Sequence, residues 1–293
     1  MPMIRLAHLL LLLSFSLCIH AQYEVVKLWD KHPTRKEKRP ELRVFSPADS
    51  LRNGTCVLIC PGGSYHHLGL RNEGSEVAEY LREWGITAVV LRYRVAMRGN
   101  HHPAMIEDFQ RGVQILRENA ENFGIDPHKL GCMGFSAGGH LVTMGGAFAS
   151  HNFLADRGVH TSVNLRPDFV CPIYPVVSMQ DSIAHVKSRR NLLGKGFTKA
   201  IADSFSMERH IPENMPPVFL LACKDDDVVD YRNTVVLRNA LAQKNIPCEF
   251  HLLKQGGHGF GMIRTKSAET NQWGLQLKAW LIQNGFLPNG ISE

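Results

Sequence analysis

Short apolar runs alternate with longer amphipathic stretches along most of the chain from about residue 56 onward. Apolar runs of four to six residues are typical of buried strands, and apolar residues at helical spacing are typical of helices packed on one face. The predicted strands are 57–60, 86–91, 129–133, 169–173, 218–222 and 248–253, and the predicted helices are 74–84, 104–122, 231–243 and 269–284. This alternation predicts an α/β fold, a mainly parallel twisted sheet with helices on both faces.

The segment 176–212 breaks the alternation. It mixes serine, glycine, proline and charged residues without a clear period, so the pattern predicts no regular element there. A small lid over the functional site is one interpretation of it. No internal repeat or second-domain boundary is visible, and residues 22–293 are therefore predicted to form one domain.

The first 21 residues have the pattern of a secretory signal peptide. Arg5 precedes the apolar run 6–17, and a short segment ending in Ala21 follows it. We expect cleavage after Ala21, a secreted or periplasmic protein and no stable membrane anchor, because the run is too short for a typical membrane span. Lipoprotein processing at Cys18 is the alternative, although Leu17 is a poor fit to the small residue that such processing usually requires.

Charge and cysteine usage narrow the classes of partner. Removing the leader takes away Arg5 and no acid, so the net charge falls from +6 to +5, and the basic residues are scattered except at 35–39. That run is typical of a solvated segment, and no nucleic-acid partner is expected.

Cys56 and Cys60 would lie about 13 Å apart on one strand, too far for a disulfide. The sequence has no Cys-x-x-Cys pair, so we expect buried thiols and neither a disulfide framework nor a zinc site.

The strongest candidate for chemistry is Ser136, in the run Gly134-Phe135-Ser136-Ala137-Gly138. The run stands between a predicted strand and a segment that can continue as a helix. A serine between two glycines at such a junction is typical of a nucleophile elbow, because glycines permit a tight turn that holds the hydroxyl out at the sheet edge. The N–H of Ala137 is then a candidate donor to an oxyanion.

A second glycine-rich loop, Cys60-Pro61-Gly62-Gly63-Ser64-Tyr65, follows the predicted strand 57–60 directly. Its backbone amides can point inward, because little side-chain bulk restricts the loop. The N–H groups of Gly63 and Ser64 are the further candidate oxyanion donors.

A nucleophilic serine also needs a base and an acid that orients the base, in the chain order Ser, acid, His. His258 lies in a glycine-rich loop after the last predicted strand, and the three aspartates 225–227 follow the strand before it. One of the three is expected to be the acid, with its neighbours facing solvent or capping the next helix. The pairs His66-His67 and His101-His102 are interpreted as loop residues and not as metal ligands.

Further motifs, together with these residues, make almost all of residues 54–263 resemble a known family. They are Asn72-Glu73-Gly74, Val90-Leu91-Arg92-Tyr93-Arg94, His102-Pro103 with Asp108, Tyr174-Pro175-Val176, Asn191-Leu192-Leu193-Gly194, Pro216-Pro217 and Gly256-Gly257-His258-Gly259-Phe260. The chain resembles the α/β-hydrolase group of small feruloyl and acetyl esterases associated with xylanases. In that family the acid precedes a proline by four residues, which implies Asp226 here, with Asp230 in place of the proline.

The resemblance implies an exported serine esterase that removes short acyl groups, above all acetyl, from polysaccharide or oligosaccharide substrates. Ser136 would attack, His258 would carry the proton and Asp226 would orient His258, while Gly63, Ser64 and Ala137 would bind the oxyanion without a metal or cofactor. Another serine hydrolase on the same scaffold, such as an amidase, formamidase or peptidase, is one alternative. A binding protein of this fold is another, and glycosidase activity would need a suitably spaced carboxylate pair.

Overall fold

One eight-stranded sheet organises the computed structural model, which describes residues 23–29, 40–262 and 269–289. The strands are β1 (Glu24–Lys27), β2 (Glu41–Phe45), β3 (Cys56–Cys60), β4 (Thr87–Arg92), β5 (Leu130–Phe135), β6 (Val170–Ile173), β7 (Val218–Cys223) and β8 (Cys248–Leu253). Their order across the sheet is β1-β2-β4-β3-β5-β6-β7-β8. Strands β3 to β8 run parallel, whereas β1 and β2 pair antiparallel at one edge.

Seven α-helices surround the sheet in the described residues. They are α1 (Glu76–Arg82), α2 (Ala104–Glu118), α3 (Ala137–Ala147), α4 (Val186–Leu193), α5 (Lys199–Ser204), α6 (Arg232–Gln243) and α7 (Trp273–Gln283). A π-helical turn, Arg71–Ser75, leads directly into α1. Single 3₁₀ turns lie at Ala96–Arg98, Ala155–Arg157 and Met207–Arg209.

Two hydrophobic cores lie on opposite faces of the sheet, because successive side chains of a strand point to opposite sides. In β3, Leu58 packs with residues of α2, α3 and α6, whereas Val57 and Ile59 pack with residues of α1 and α7. Strands β3 to β7 are buried along almost their whole length. A strand covered on both faces has apolar residues without a polar alternation, which is the pattern seen in the sequence.

The predicted α/β architecture, a mainly parallel sheet with helices on both faces, is confirmed. Strands β1 and β2 were not predicted, and 176–212 contains the helices α4 and α5, where no regular element was predicted. The predicted leader 1–21, with its predicted cleavage site and Cys18, lies outside the described residues. No helix of the described ranges is long and apolar enough to span a bilayer.

Candidate active site

Ser136 occupies a sharp turn between β5 and α3, with φ 54° and ψ −119°. A side chain at positive φ is strained by its own β-carbon, and such strain is commonly found at functional sites. The flanking glycines are sterically required. A β-carbon at Gly134 would lie 2.1 Å from the Gly138 carbonyl oxygen, and one at Gly138 would lie 2.0 Å from the Cys60 carbonyl oxygen.

Three predicted side chains form one hydrogen-bonded line. His258 Nε2 lies 2.9 Å from Ser136 Oγ, and His258 Nδ1 lies 2.7 Å from Asp226 Oδ2. The other carboxylate oxygen, Asp226 Oδ1, accepts the N–H groups of Val228 and Val229, both at 2.9 Å. An ionised carboxylate only accepts, so Nδ1 carries the imidazole proton and Nε2 is free to accept the proton of Ser136.

Asp226 is the aspartate of the three that contacts His258, and Asp225 makes a contact that was not predicted. Its carboxylate accepts the N–H groups of Gly256 at 3.1 Å and Gly257 at 2.9 Å. The hydrogen bond from Gly257 is the main reason that the pKa of Asp225 is lowered. The side chain of Asp225 is exposed, as expected for a neighbour of the acid, and in addition it fastens the loop that carries His258. The exposed Asp227 makes no comparable contact among the described residues.

The glycine-rich loop after β3 is held in a conformation that needs its glycines. Gly63 has φ 126°, and a β-carbon there would lie 2.2 Å from the His67 carbonyl oxygen. Ser64 has φ 58°, so a serine is accommodated in the left-handed region at that position. Asn191 Nδ2, on α4, donates to the Ser64 carbonyl oxygen at 2.8 Å.

The three predicted oxyanion donors lie at the serine. Gly63, Ser64, Ser136 and His258 line the same pocket, and Ala137 follows Ser136 in the chain. Within the part of the chain that the structure describes, the N–H groups of Gly63, Ser64 and Ala137 donate to no other protein group. They are therefore available to a ligand, as oxyanion donors must be.

Glu73, whose role the sequence did not reveal, links the two loops of the site. It is 5% exposed, its Oε2 accepts the Gly62 N–H at 2.8 Å and its Oε1 accepts the Tyr174 hydroxyl at 2.9 Å. The same hydroxyl accepts the Gly261 N–H at 3.1 Å, and the Tyr174 ring lies 4.8 Å from the His258 ring between centroids. This series of hydrogen bonds, Gly62–Glu73–Tyr174–Gly261, thus joins the loop 60–65 after β3, called the oxyanion loop, to the loop after β8 that carries His258, called the histidine loop.

His140, in the first turn of α3, is a second buried connection. Its Nε2–H donates to the Phe205 carbonyl oxygen at 2.8 Å, so Nδ1 accepts the Tyr65 hydroxyl at 2.9 Å. Burial lowers the pKa of His140 to about 4. The neutral ring therefore ties the oxyanion loop to the segment 176–212.

Two pockets meet beside the triad. The first, about 220 Å³, contains Ser136 and His258 and is bounded by the oxyanion loop. The second, about 470 Å³, is bounded by residues 181–185 and by the loop that carries Asp226. Val228 lines both pockets. The segment 176–212 thus forms a wall of the second pocket.

The histidine pairs lie near the site without forming a metal centre. His67 lines the serine pocket, and His101 Nδ1–H donates to the Asn191 carbonyl oxygen at 2.7 Å. In the described ranges, no three His, Cys, Asp or Glu side chains are grouped so that they could hold a metal ion. Six cysteines are free thiols, five of them buried.

The sequence is similar to a family model and to known proteins. The BD-FAE family model matches residues 42–241. The chain is 33% identical over 224 residues to endo-1,4-beta-xylanase B of Butyrivibrio fibrisolvens, covering 75% of this chain and 34% of that protein. It is 29% identical over 213 residues to an acetylxylan esterase of Xylanibacter ruminicola, covering 71% of this chain and 42% of that protein. The chain thus spans less than half the length of these relatives.

Solved structures show the same fold. An acetyl ester-xyloside bifunctional hydrolase from Caldicellulosiruptor lactoaceticus superposes with a TM-score of 0.79 at 29% identity, covering 90% of this chain and 97% of that one. An esterase from Thermogutta terrifontis superposes with a TM-score of 0.76 at 20% identity, covering 92% and 97%. The predicted α/β-hydrolase fold is confirmed.

Proposed function

The chain belongs to the BD-FAE family, and from that premise we propose that it is a serine carboxylic ester hydrolase that removes short acyl groups from carbohydrates. The observation that carries the proposal is the line Ser136–His258–Asp226, at 2.9 and 2.7 Å, at a pocket bounded by free backbone amides. Acetylated xylan fragments are the proposed substrates, since two of the similar proteins are named for acetylxylan and acetyl ester-xyloside hydrolysis.

In the proposed reaction, Ser136 Oγ attacks the ester carbonyl carbon while its proton passes to His258 Nε2. The N–H groups of Gly63, Ser64 and Ala137 stabilise the negative charge on the former carbonyl oxygen. The bond to the leaving oxygen then breaks, and His258 gives its proton to the departing alcohol. Water, deprotonated by the same imidazole, attacks the carbonyl carbon of the acyl-enzyme. The bond from that carbon to Ser136 Oγ then breaks, His258 returns the proton to Oγ, and the carboxylic acid leaves.

The size of the serine pocket favours a short acyl group. About 220 Å³ must hold the reacting carbonyl and its substituent beside Ser136 and the oxyanion loop, which is below the usual range for drug-sized ligands. An acetyl group fits such a space, whereas a long alkyl chain would extend outside it.

A panel of esters tests the proposal. We expect acetate esters of xylooligosaccharides and of simple alcohols to be hydrolysed with a far higher kcat/KM than dodecanoate esters. An organophosphonate should label Ser136 stoichiometrically and abolish the activity. Labelling at another residue, or a preference for amides or for the dodecanoate, would contradict the proposal and favour an amidase, a peptidase or a lipase.

We further propose that residues 1–21 direct export, on the sequence pattern alone. Expression of the full chain in a bacterium with a periplasm should yield a mature protein that begins at Gln22. An unprocessed amino terminus, or a lipid on Cys18, would overturn this part of the proposal.

A further inference from the structure

The second pocket, about 470 Å³ in volume, is lined by residues 181–185 and by the loop after β7, and not by the oxyanion loop. Asp226 lines it, and it shares Val228 with the serine pocket. A ligand that reacts with Ser136 can therefore extend into it past Val228. Its volume lies in the range that small-molecule sites occupy.

The direction of proton transfer determines which part of an ester can enter this pocket. The leaving oxygen must be close to His258 Nε2, because that atom protonates it as the bond breaks. The carbonyl oxygen occupies the opposite side, among the amides of Gly63 and Ser64. The second pocket contains Asp226, the hydrogen-bond partner of His258. It is consequently on the leaving-alcohol side, and the serine pocket holds the acyl side.

The side chains around the second pocket suit a polar alcohol. Lys224 and Asp227 line it, and neither side chain makes a hydrogen bond or ion pair with another described residue. Tyr231, at the amino-terminal end of α6, adds an aromatic ring and a hydroxyl group that is likewise not hydrogen-bonded within the described ranges. An apolar alcohol would cover these polar groups without pairing them, which costs free energy, whereas sugar hydroxyls can pair with them.

We propose that this leaving-group pocket, formed by Lys224, Asp227 and Tyr231 opposite residues 181–185, binds the sugar ring that carries the ester. Lys224 and Asp227 bind hydroxyl groups of the sugar, and Tyr231 provides an aromatic surface for its C–H face. The inference rests on the proposed esterase function and adds the residues that select a carbohydrate alcohol.

The same assignment gives the segment 176–212 a function other than that of a lid. Residues 181–185 form the far wall of the pocket, and Arg189 on α4 fixes this wall through the Met179 carbonyl oxygen at 2.7 Å and the Asp181 carboxylate at 2.6 Å. The segment therefore shapes the alcohol site without having to open and close.

The test keeps the acyl group constant and changes the alcohol. We compare kcat/KM for an O-acetylated xylotriose with kcat/KM for ethyl acetate, whose alcohol is too small to reach Lys224 or Tyr231. For Lys224→Gln, Asp227→Asn and Tyr231→Ala, the ratio of sugar ester to ethyl acetate should fall by about tenfold each, as expected for the loss of one good polar or stacking contact. The matched controls Lys244→Gln and Asp156→Asn, exposed and outside both pockets, should keep the wild-type ratio.

The outcomes separate this inference from the proposed function. If the wild type hydrolyses both esters and the ratio falls only in the pocket variants, the inference is supported. If the wild type hydrolyses both esters but the pocket variants keep the wild-type ratio, the esterase function stands and the leaving-group pocket is wrong. If the wild type hydrolyses neither ester, the proposed function fails, and the inference fails with it.

Discussion

At the scale of single residues, the backbone of Ser136 is strained, with φ 54° and ψ −119°. Ser136→Ala and Ser136→Gly should both lose about 10⁶-fold in kcat, because each removes the nucleophile. Their stabilities should differ, since glycine relieves the strain at positive φ. Glycine loses more conformational entropy on folding than alanine does, which offsets part of this gain. We still expect the glycine variant to be more stable by about 1 kcal/mol.

Urea denaturation of the two variants measures this difference. The comparison isolates the backbone, because neither variant has the hydroxyl that contacts His258. A glycine variant that unfolds at lower urea concentration than the alanine variant would contradict the assignment of strain to the elbow.

The adjacent aspartates should respond differently to loss of charge. Asp226→Asn places an amide against His258 Nδ1 and favours the wrong imidazole tautomer, and we expect kcat to fall by about 10⁴-fold. Asp225→Asn leaves the triad intact but weakens the anchoring of Gly256 and Gly257, so a loss of about tenfold is expected. Asp156→Asn, on an exposed turn, controls for the charge alone. Steady-state kinetics on ethyl acetate measures all three, and a more damaging Asp225→Asn than Asp226→Asn would show that the acid is misassigned.

Which residues could be predicted depended on whether their role leaves a local signal in the sequence. Ser136 and the loop of His258 have local signals, namely flanking glycines and a position after a strand. The buried Glu73 pairs with Tyr174, 101 residues away, and no local pattern marks a carboxylate for such a role. Asp225 also lacked a signal, because its partners are backbone amides of a loop 31 and 32 residues away.

At the scale of elements, the series of hydrogen bonds Gly62–Glu73–Tyr174–Gly261 fixes the oxyanion loop and the histidine loop relative to each other. We expect Tyr174→Phe and Glu73→Gln each to lower kcat by about tenfold with little change in KM, because the donors and the base lose their relative position. The kcat of the double variant should be little lower than that of either single variant, since both substitutions break the same series of hydrogen bonds.

A double-mutant cycle on ethyl acetate measures the coupling, and Tyr23→Phe on the far edge of the sheet is the control. Strictly additive losses would show that Glu73 and Tyr174 act separately.

The connection through His140 should make stability depend on pH. Its pKa is lowered by burial from 6.5 to about 4, so the unfolded chain binds a proton between these values that the folded chain does not. The stability from this group is fully present above about pH 6.5 and falls as the pH decreases towards 4, by about 3 kcal/mol in total.

Urea unfolding at pH 7, 6, 5 and 4.5 measures the slope of this dependence. The stability of His140→Gln should change with pH less steeply than that of the wild type, by about 1 kcal/mol per pH unit between pH 6 and 5. His128→Gln, at an exposed position, should keep the wild-type slope. Equal slopes for His140→Gln and the wild type would contradict a neutral buried imidazole.

Elements were predictable where apolar residues form a short run or recur at helical spacing. The strand predicted at 248–253 coincides with β8, and the helix predicted at 231–243 differs from α6 by one residue. Strand β2 was not predicted. Its buried residues Leu42 and Val44 alternate with half-buried Glu41 and Arg43, but five residues are too few for this alternation to stand out. Helices α4 and α5 lack a clear period because they bury few residues, namely Ser188, Leu192 and Ala202.

At the scale of the whole molecule, the sheet brings distant residues to one place. The oxyanion loop follows β3, Ser136 follows β5, Asp226 follows β7 and His258 follows β8. These strands are parallel, so the loops after them meet at the same edge, where ligands bind in open α/β sheets. The site therefore depends on strand order more than on any single loop.

The buried cysteines of the central strands allow the opening of the sheet to be followed strand by strand. Cys56 and Cys60 lie in β3, Cys132 in β5 and Cys171 in β6, and burial raises the pKa of all four thiols. An alkylating reagent reaches these sulfurs only after the helices packed on the sheet, or the neighbouring strands, move away, because the reactive species is the exposed thiolate. The order in which the four are alkylated in native buffer would therefore report which part of the domain unfolds first and which part last.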